Sequence, residues 1–193
     1  MTPESEEITN LDTPIDAMYL IHKALCAEAA EAERMVRNLH MGESLQPFRS
    51  LFNQWASALG YHAIMEDEFM TPLLPDFPQV RANQESHRQL EHLLEKVELC
   101  MDEEIGRTRI IARTQRHLYG AVVSLHISQD DHLEEEEAFI LPLIREHLSK
   151  EQQTMIVKKI LIDEEGDLRW ILTWLGKHLG RNEQELLENA ALP

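Results

Sequence analysis

Met18, Ile21, Leu25 and Cys26 fall three and four residues apart, with His22 among them, so one face of the segment after Pro14 is apolar at helical spacing. Thr13 is placed to cap this helix, Pro14 to open it and Asp16 to complete its first turn, and the pattern runs to about Asn38. His40–Ser44 (HMGES) breaks it. A second helix is predicted from Leu45 to Leu74, stopped by Pro75–Pro78 (PDFP), where each proline disfavours helix at the residue before it. A third runs from about Arg81 to Glu104, with Leu90, Leu94 and Val97 on its apolar face. Gly106 marks a short turn, and a fourth helix runs from Thr108 to Leu148. Ser149 and Gln152 have the spacing of a capping box and open a fifth helix, which carries Trp170 and Trp174 and breaks near Gly176 or Gly180. No stretch alternates apolar and polar residues between hairpin turns. The expectation is an all-α chain: an antiparallel up-and-down four-helix bundle with an additional C-terminal helix. Residues 1–12 read as a flexible tail, 13–148 as the bundle and 149–193 as a helical extension packed on it.

Composition agrees. Seven Gly and eight Pro leave 193 residues rich in helix formers, a length that suits one domain. A net charge of −17 argues against a nucleic-acid backbone or an anionic membrane as partner, since both repel it. No apolar run has the length of a membrane span. The first ten residues (MTPESEEITN) are too polar and acidic for a signal peptide. Cys26 and Cys100 alone make neither a disulfide framework nor a thiolate zinc cluster. A reduced, cytoplasmic protein is expected.

The chemistry lies in a repeat. His62–Leu74 reads HAIMEDEFMTPLL and His132–Ile144 reads HLEEEEAFILPLI. His62/His132, Glu66/Glu136, Phe69/Phe139, Pro72/Pro142 and Leu73/Leu143 all match at one offset of 70, giving H-x3-E-x2-F-x2-P-L twice. H-x3-E alone is weak. With 35 acidic residues in 193, ten histidines meet an acid at +4 about twice by chance, and here five do. Matching Phe and Pro-Leu at the same distances are not expected by chance, and the repeat points to two helical hairpins related by a pseudo-twofold axis. Residues four apart share a helix face. His62 with Glu66 and His132 with Glu136 can therefore point at one centre, and imidazole plus carboxylate from each of two helices is a divalent-metal site. A metal would also offset the cost of burying these groups.

The other two long helices offer His22, on the apolar face of the first, and His87, near the start of the third. Each half then reads His followed by His-x3-Glu. Four histidines and two glutamates suit two metals, each taking two histidines, with both carboxylates bridging.

At these residues the chain resembles the hemerythrin-like, or HHE cation-binding, family. The order His22, His62-x3-Glu66, His87, His132-x3-Glu136 and the PLL and PLI tails of the motif helices carry the likeness, over roughly residues 13–148. The resemblance implies a four-helix bundle holding a non-haem diiron centre, two iron ions with a bridging oxygen species (oxo or hydroxo). His22 and His62 would ligate one iron, His87 and His132 the other, and Glu66 and Glu136 would bridge. Dioxygen, peroxide or nitric oxide would be the small ligand. Oxygen-carrying hemerythrins have a second histidine one turn after the third-helix ligand, where this chain has Glu91; Glu91 or a solvent oxygen would fill that place. Their fourth-helix carboxylate follows its histidine at +5, where Glu137 stands here, while Glu136 at +4 resembles the bacterial and regulatory branch. Three functional readings stay open: a binding protein or sensor for dioxygen or a related ligand, a diiron oxidase or peroxidase, and a helical interaction module whose metal is structural or absent.

The remaining candidates read as structural. His40, His92, His117, His147 and His178 are expected at the surface, and His126 is expected to point away from the site. Glu134, Glu135 and Glu137 are expected to be solvated, since Met65 occupies the repeat position matching Glu135. Tyr19 and Cys26 read as core residues, Trp55, Trp170 and Trp174 as packing, and Phe69 and Phe139 as rings packed beside the site.

Overall fold

A computed structural model describes residues 7–102, 110–162 and 169–191. All regular structure among them is helical. The long helices are α1 (Ala17–Asn38), α2 (Gln46–Met65), α3 (Pro78–Asp102) and α4 (Ala112–Glu135), followed by α5 (Leu141–His147), α6 (Lys150–Leu161), α7 (Trp170–Leu175) and α8 (Arg181–Ala191). α1 packs on α2 and α4, and α3 packs on the same two helices. Phe48, Phe52 and Trp55 form an inward stripe of α2, with successive ring centroids 6.0 Å apart. Each is fully buried, and burial of such a side chain contributes about 1.5–3 kcal/mol.

Thr13 and Pro14 begin the first helix as read, but its first turn, Pro14–Asp16, is a 3-10 turn. Asp16 Oδ2 accepts the Thr13 N–H (2.7 Å), and Oδ1 accepts two bonds from Arg145 of α5 (2.6 and 3.0 Å). Burial opposes ionisation of Asp16, but Arg145 and Thr13 outweigh it and hold its carboxyl below the ordinary 3.8. In the break after α1, Gly42 sits at φ 91°, a left-handed conformation that glycine adopts without steric cost. Its N–H donates to Ile110 O, and the Ile110 N–H donates to Glu43 O, both at 3.0 Å, which fastens this turn to the chain ahead of α4. Gly106, the third-helix end at Glu104 and the fourth-helix start at Thr108 lie outside the described residues.

The two motif helices change pitch at their glutamates. Glu66–Met70 and Glu136–Ile140 are π-helical, so the α-helical stretches end at Met65 and Glu135 rather than continuing to Leu74 and Leu148. A proline follows each: Pro72 in the 3-10 turn Thr71–Leu73, and Pro142 in the first turn of α5. Proline lacks an N–H, and its ring collides with the carbonyl four residues back. A wider turn ahead of it relieves both problems, and such turns cluster at functional sites.

The C-terminal segment departs from the single predicted helix. The Ser149–Gln152 capping box is present, with bonds of 3.0 and 3.3 Å. α6, however, ends at Leu161, where Ile162 turns to extended backbone. Trp170 and Trp174 belong to α7, and α8 follows Gly180. α6 packs on α2 and on the 3-10 turn before α1, and α8 packs on α1 and α6. Residues 7–12, expected to be a solvated tail, are non-helical but attached. The Ile8 N–H donates to Glu183 Oε1 (2.9 Å), and Glu183 also accepts the Gly180 N–H (2.9 Å) and the Lys23 ammonium (2.6 Å). Burial alone would raise the Glu183 pKa, but Lys23 and the two backbone N–H groups hold it below the usual 4.5.

Candidate metal centre

One face of each long helix brings buried histidine or carboxylate to the same level of the bundle. His22 comes from α1, His62 from the last turn of α2, His87 from the early part of α3 and His132 from the last turn of α4. Glu66 and Glu136 are the first residues of the two π segments. All six are buried, both glutamates completely.

They form two overlapping groups with the geometry to hold metal ions. His22, His62, Glu66 and Glu136 each bring a donor atom within 4.8 Å of the others, and so do Glu66, His87 and His132, with Glu66 common to both. The imidazoles pair edge to face, His22 with His62 (centroids 5.3 Å apart) and His87 with His132 (4.8 Å). The four Nε2 atoms face the carboxylates: His62 lies 3.0 Å from Glu66 Oε1, His87 3.2 Å from Glu66 Oε2, and His22 3.5 Å and His132 3.9 Å from Glu136 Oε2. Close as these are, none has hydrogen-bond geometry. Nε2 of His22, His62 and His87 and all four oxygens of Glu66 and Glu136 are buried without a hydrogen-bond partner. Native folds rarely leave so many polar atoms unpaired in one place. Donors whose lone pairs converge on shared points instead of on each other fit a metal, and a mixed imidazole and carboxylate set suits iron, zinc or manganese.

The electrostatics differ from residue to residue within the cluster. Burial disfavours a charged His22, but Glu136 and Glu137 outweigh it and push its pKa up to about 10. The same contest, settled by Glu66 and Asp67, takes His87 up to about 9. His132 goes the other way, to about 3, because burial and the neighbouring imidazoles outweigh the attraction of Glu66. Glu66 is held well below the usual carboxylate range because His62 and His87 overcome its burial. Glu136 is raised by burial and by the charge of Glu66.

Two further acids belong to the site. Nδ1 of His22 donates to Glu137 Oε1 (2.9 Å), and Nδ1 of His87 donates to Asp67 Oδ1 (3.1 Å). Each acid directly follows the buried glutamate of its motif and reaches the histidine of a neighbouring helix. These bonds fix the tautomer that turns Nε2 inward and raise the basicity of the ring. Glu137 is therefore engaged at the site rather than solvated, whereas Glu134 and Glu135 are exposed. The signal was in the repeat, since Asp67 and Glu137 are also 70 apart, but as an acid pair and not an identity. The structure also separates Glu136 from Glu137: the +4 carboxylate is in the cluster and the +5 carboxylate supports it.

Other expectations change. Glu91 is exposed, because His87 lies on the same inward face as Asn83 and Leu90 and the next residue turns outward. Phe139 is 56% exposed, and Phe69 is half-buried beneath the Lys159 ammonium. Met70 and Ile140, one residue later, are buried instead, as the wider π turn dictates. His178 is not a free surface residue: its Nε2 lies 2.7 Å from Glu28 Oε2. His126 does point elsewhere, to Glu33 (2.7 Å) and Asp130 (3.3 Å). Tyr19 is half-buried with its hydroxyl 2.9 Å from Arg145, and Cys26 is a half-buried free thiol, pushed up to about 12 by burial and Asp130. Trp55 is buried in the core, and its indole N–H donates to Gln129 Oε1 (2.7 Å). A cavity of about 810 Å³ opens beside His22, with Tyr19, Cys26, Leu133 and Glu137 in its wall.

No helix among the described residues is long and apolar enough to cross a membrane. No curated protein and no solved structure matches the chain. A family model described as the hemerythrin HHE cation binding domain matches residues 13–144.

Proposed function

The chain belongs to the hemerythrin HHE cation-binding family, and from that premise we propose that it is a non-haem diiron protein that binds or senses dioxygen or a related small ligand such as peroxide or nitric oxide. The observation that carries the reading is the buried cluster whose nitrogen and oxygen atoms converge unpaired, with Glu66 in both groups. His22 and His62 would hold one iron, His87 and His132 the other, and Glu66 and Glu136 would bridge. The cyclic packing of α1, α2, α3 and α4 fits the up-and-down antiparallel bundle in which such ligands face inward.

When bound, the iron pair supplies open coordination positions and a change of charge that imidazole and carboxylate ligands tolerate. The protein supplies the rest. Asp67 and Glu137 hold the His87 and His22 rings with Nε2 turned inward. Met70, Ile140 and Leu133, on the same motif segments, are buried apolar side chains. The cavity beside His22 gives a small molecule a way in from one side.

A second reading, a diiron oxidase or peroxidase, is favoured by the same cavity. Its volume of about 810 Å³ falls in the range of pockets that hold organic substrates. Reversible dioxygen uptake without net oxidation supports the binding role, and rapid peroxide turnover supports the enzyme.

The deciding experiment is iron per chain after anaerobic loading with ferrous iron and desalting. About two irons are expected. A folded protein that retains none overturns the diiron reading and leaves a helical interaction module.

A further inference from the structure

Gln129 is completely buried one turn before His132 on the inward face of α4. In the other half of the repeat the position 70 residues earlier is Leu59, also buried. One half therefore carries an amide, one turn before its histidine, where the other carries an aliphatic side chain. Its orientation is fixed by chemistry. The Trp55 indole can only donate, so the atom 2.7 Å from its Nε1 must be the amide oxygen. The NH2 group faces the other way. It is buried, and among the described residues no acceptor meets it. A buried donor without an acceptor is destabilising and rare in native folds, and calls for a partner. His132, one turn further along the same buried face of α4, is the cluster residue nearest to it along the helix.

We propose that Gln129 is a specificity-determining residue, whose amide N–H donates to the external ligand that enters the six-residue cluster, with Trp55 as the positioning residue that aims it. This rests on the diiron reading above. An NH2 group offers only donors, so it selects a guest that presents a lone pair or negative charge at that point. Anions of the azide and hydroperoxide class fit this requirement, and a guest that can only donate does not. The apolar Leu59 side chain offers nothing equivalent, so the selectivity is one-sided.

The test uses the iron-loaded ferric protein titrated with sodium azide and followed optically, with iron per chain measured in every sample. Gln129→Met keeps the shape of the side chain and removes the donor; Gln129→Leu copies the other half of the repeat. Both are expected to retain about two irons and to bind azide about tenfold more weakly, or about 1.4 kcal/mol. Trp55→Phe lets the amide turn and should weaken azide binding by a smaller factor at unchanged iron content. Azide affinity within twofold of wild type in both Gln129 variants, with iron retained, overturns the proposal and leaves the diiron reading standing. Iron loss in both variants also overturns it, because Gln129 would then be supporting the ligands and not the guest. A wild-type chain that takes up no iron overturns both readings together.

Discussion

The two motif segments, His62–Leu74 and His132–Ile144, solve the same problem in different surroundings. Both bring a histidine and a glutamate inward, widen to a π turn at the glutamate, place an acid next to it to hold a histidine of a neighbouring helix, and release the strain before a proline. The first then stops, and the second continues as α5. The second also has Gln129 where the first has Leu59, and its acid Glu137 lies in the wall of the cavity beside His22. What both halves share is the buried histidine and glutamate with a supporting acid, and what differs is the residue one turn before the histidine and the cavity beside Glu137.

Removing the shared element should have the largest effect. Replacing His62 and His132 together by alanine is expected to take iron from about two per chain to none, while far-ultraviolet circular dichroism stays helical. Separating the halves comes next. The group containing His22 has four members and the one containing His87 has three. His87→Ala should therefore keep about one iron per chain, and His22→Ala should keep less. Equal losses in the two variants would show that the halves do not load independently. A smaller effect is expected from the supporting acids. Asp67→Ala and Glu137→Ala should each weaken iron binding by about 10–100-fold in competition with a chelator, as loss of a bond to the outer nitrogen of a metal-binding imidazole typically does. Comparable values for the two would confirm that this part of the repeat is symmetric.

The smallest effect concerns the attachment found only on the His22 side. Glu183 holds Ile8 and Lys23, both in the wall of the cavity. Glu183→Gln is expected to cost about 1–3 kcal/mol at pH 7, measured by urea unfolding. The Glu183 carboxyl is held below its ordinary 4.5, so its contribution is fully present above that value and is lost as pH falls through the lower, folded value. The gap between wild type and variant should therefore begin to narrow as pH falls below about 4.5 and keep narrowing as it falls further. A gap that does not narrow at all as pH falls below 4.5 would assign the effect to packing and not to charge.

His62, Glu66, His132 and Glu136 were legible because a repeat compares positions instead of scoring them. His22 and His87 were found because order and spacing distinguished them from the six histidines outside the cluster. The π turns were not legible. A helical pattern read at 3.6 residues per turn carries His62 and Glu66 inward and then favours Phe69, whereas the wider turn delivers Met70. Pro72 and Pro142 were the only local hint. Asp67 and Glu137 were missed because a run of acids at the surface and an acid serving a histidine look alike until the neighbouring helix is placed. Gln129 was missed for a similar reason, since one amide in an apolar stripe stands out only once its partner Trp55 is known. The division of the C-terminal segment into three helices was partly legible, at Gly176 and Gly180.

The grip of Glu183 on Ile8 joins residues 175 positions apart. The path from Ile8 to the last helix is therefore almost a closed ring. The cost of closing a loop grows only slowly with its length. A circular permutant whose two ends are joined by a linker and which is cut in the exposed stretch at Glu43–Ser44 would leave every described helix whole.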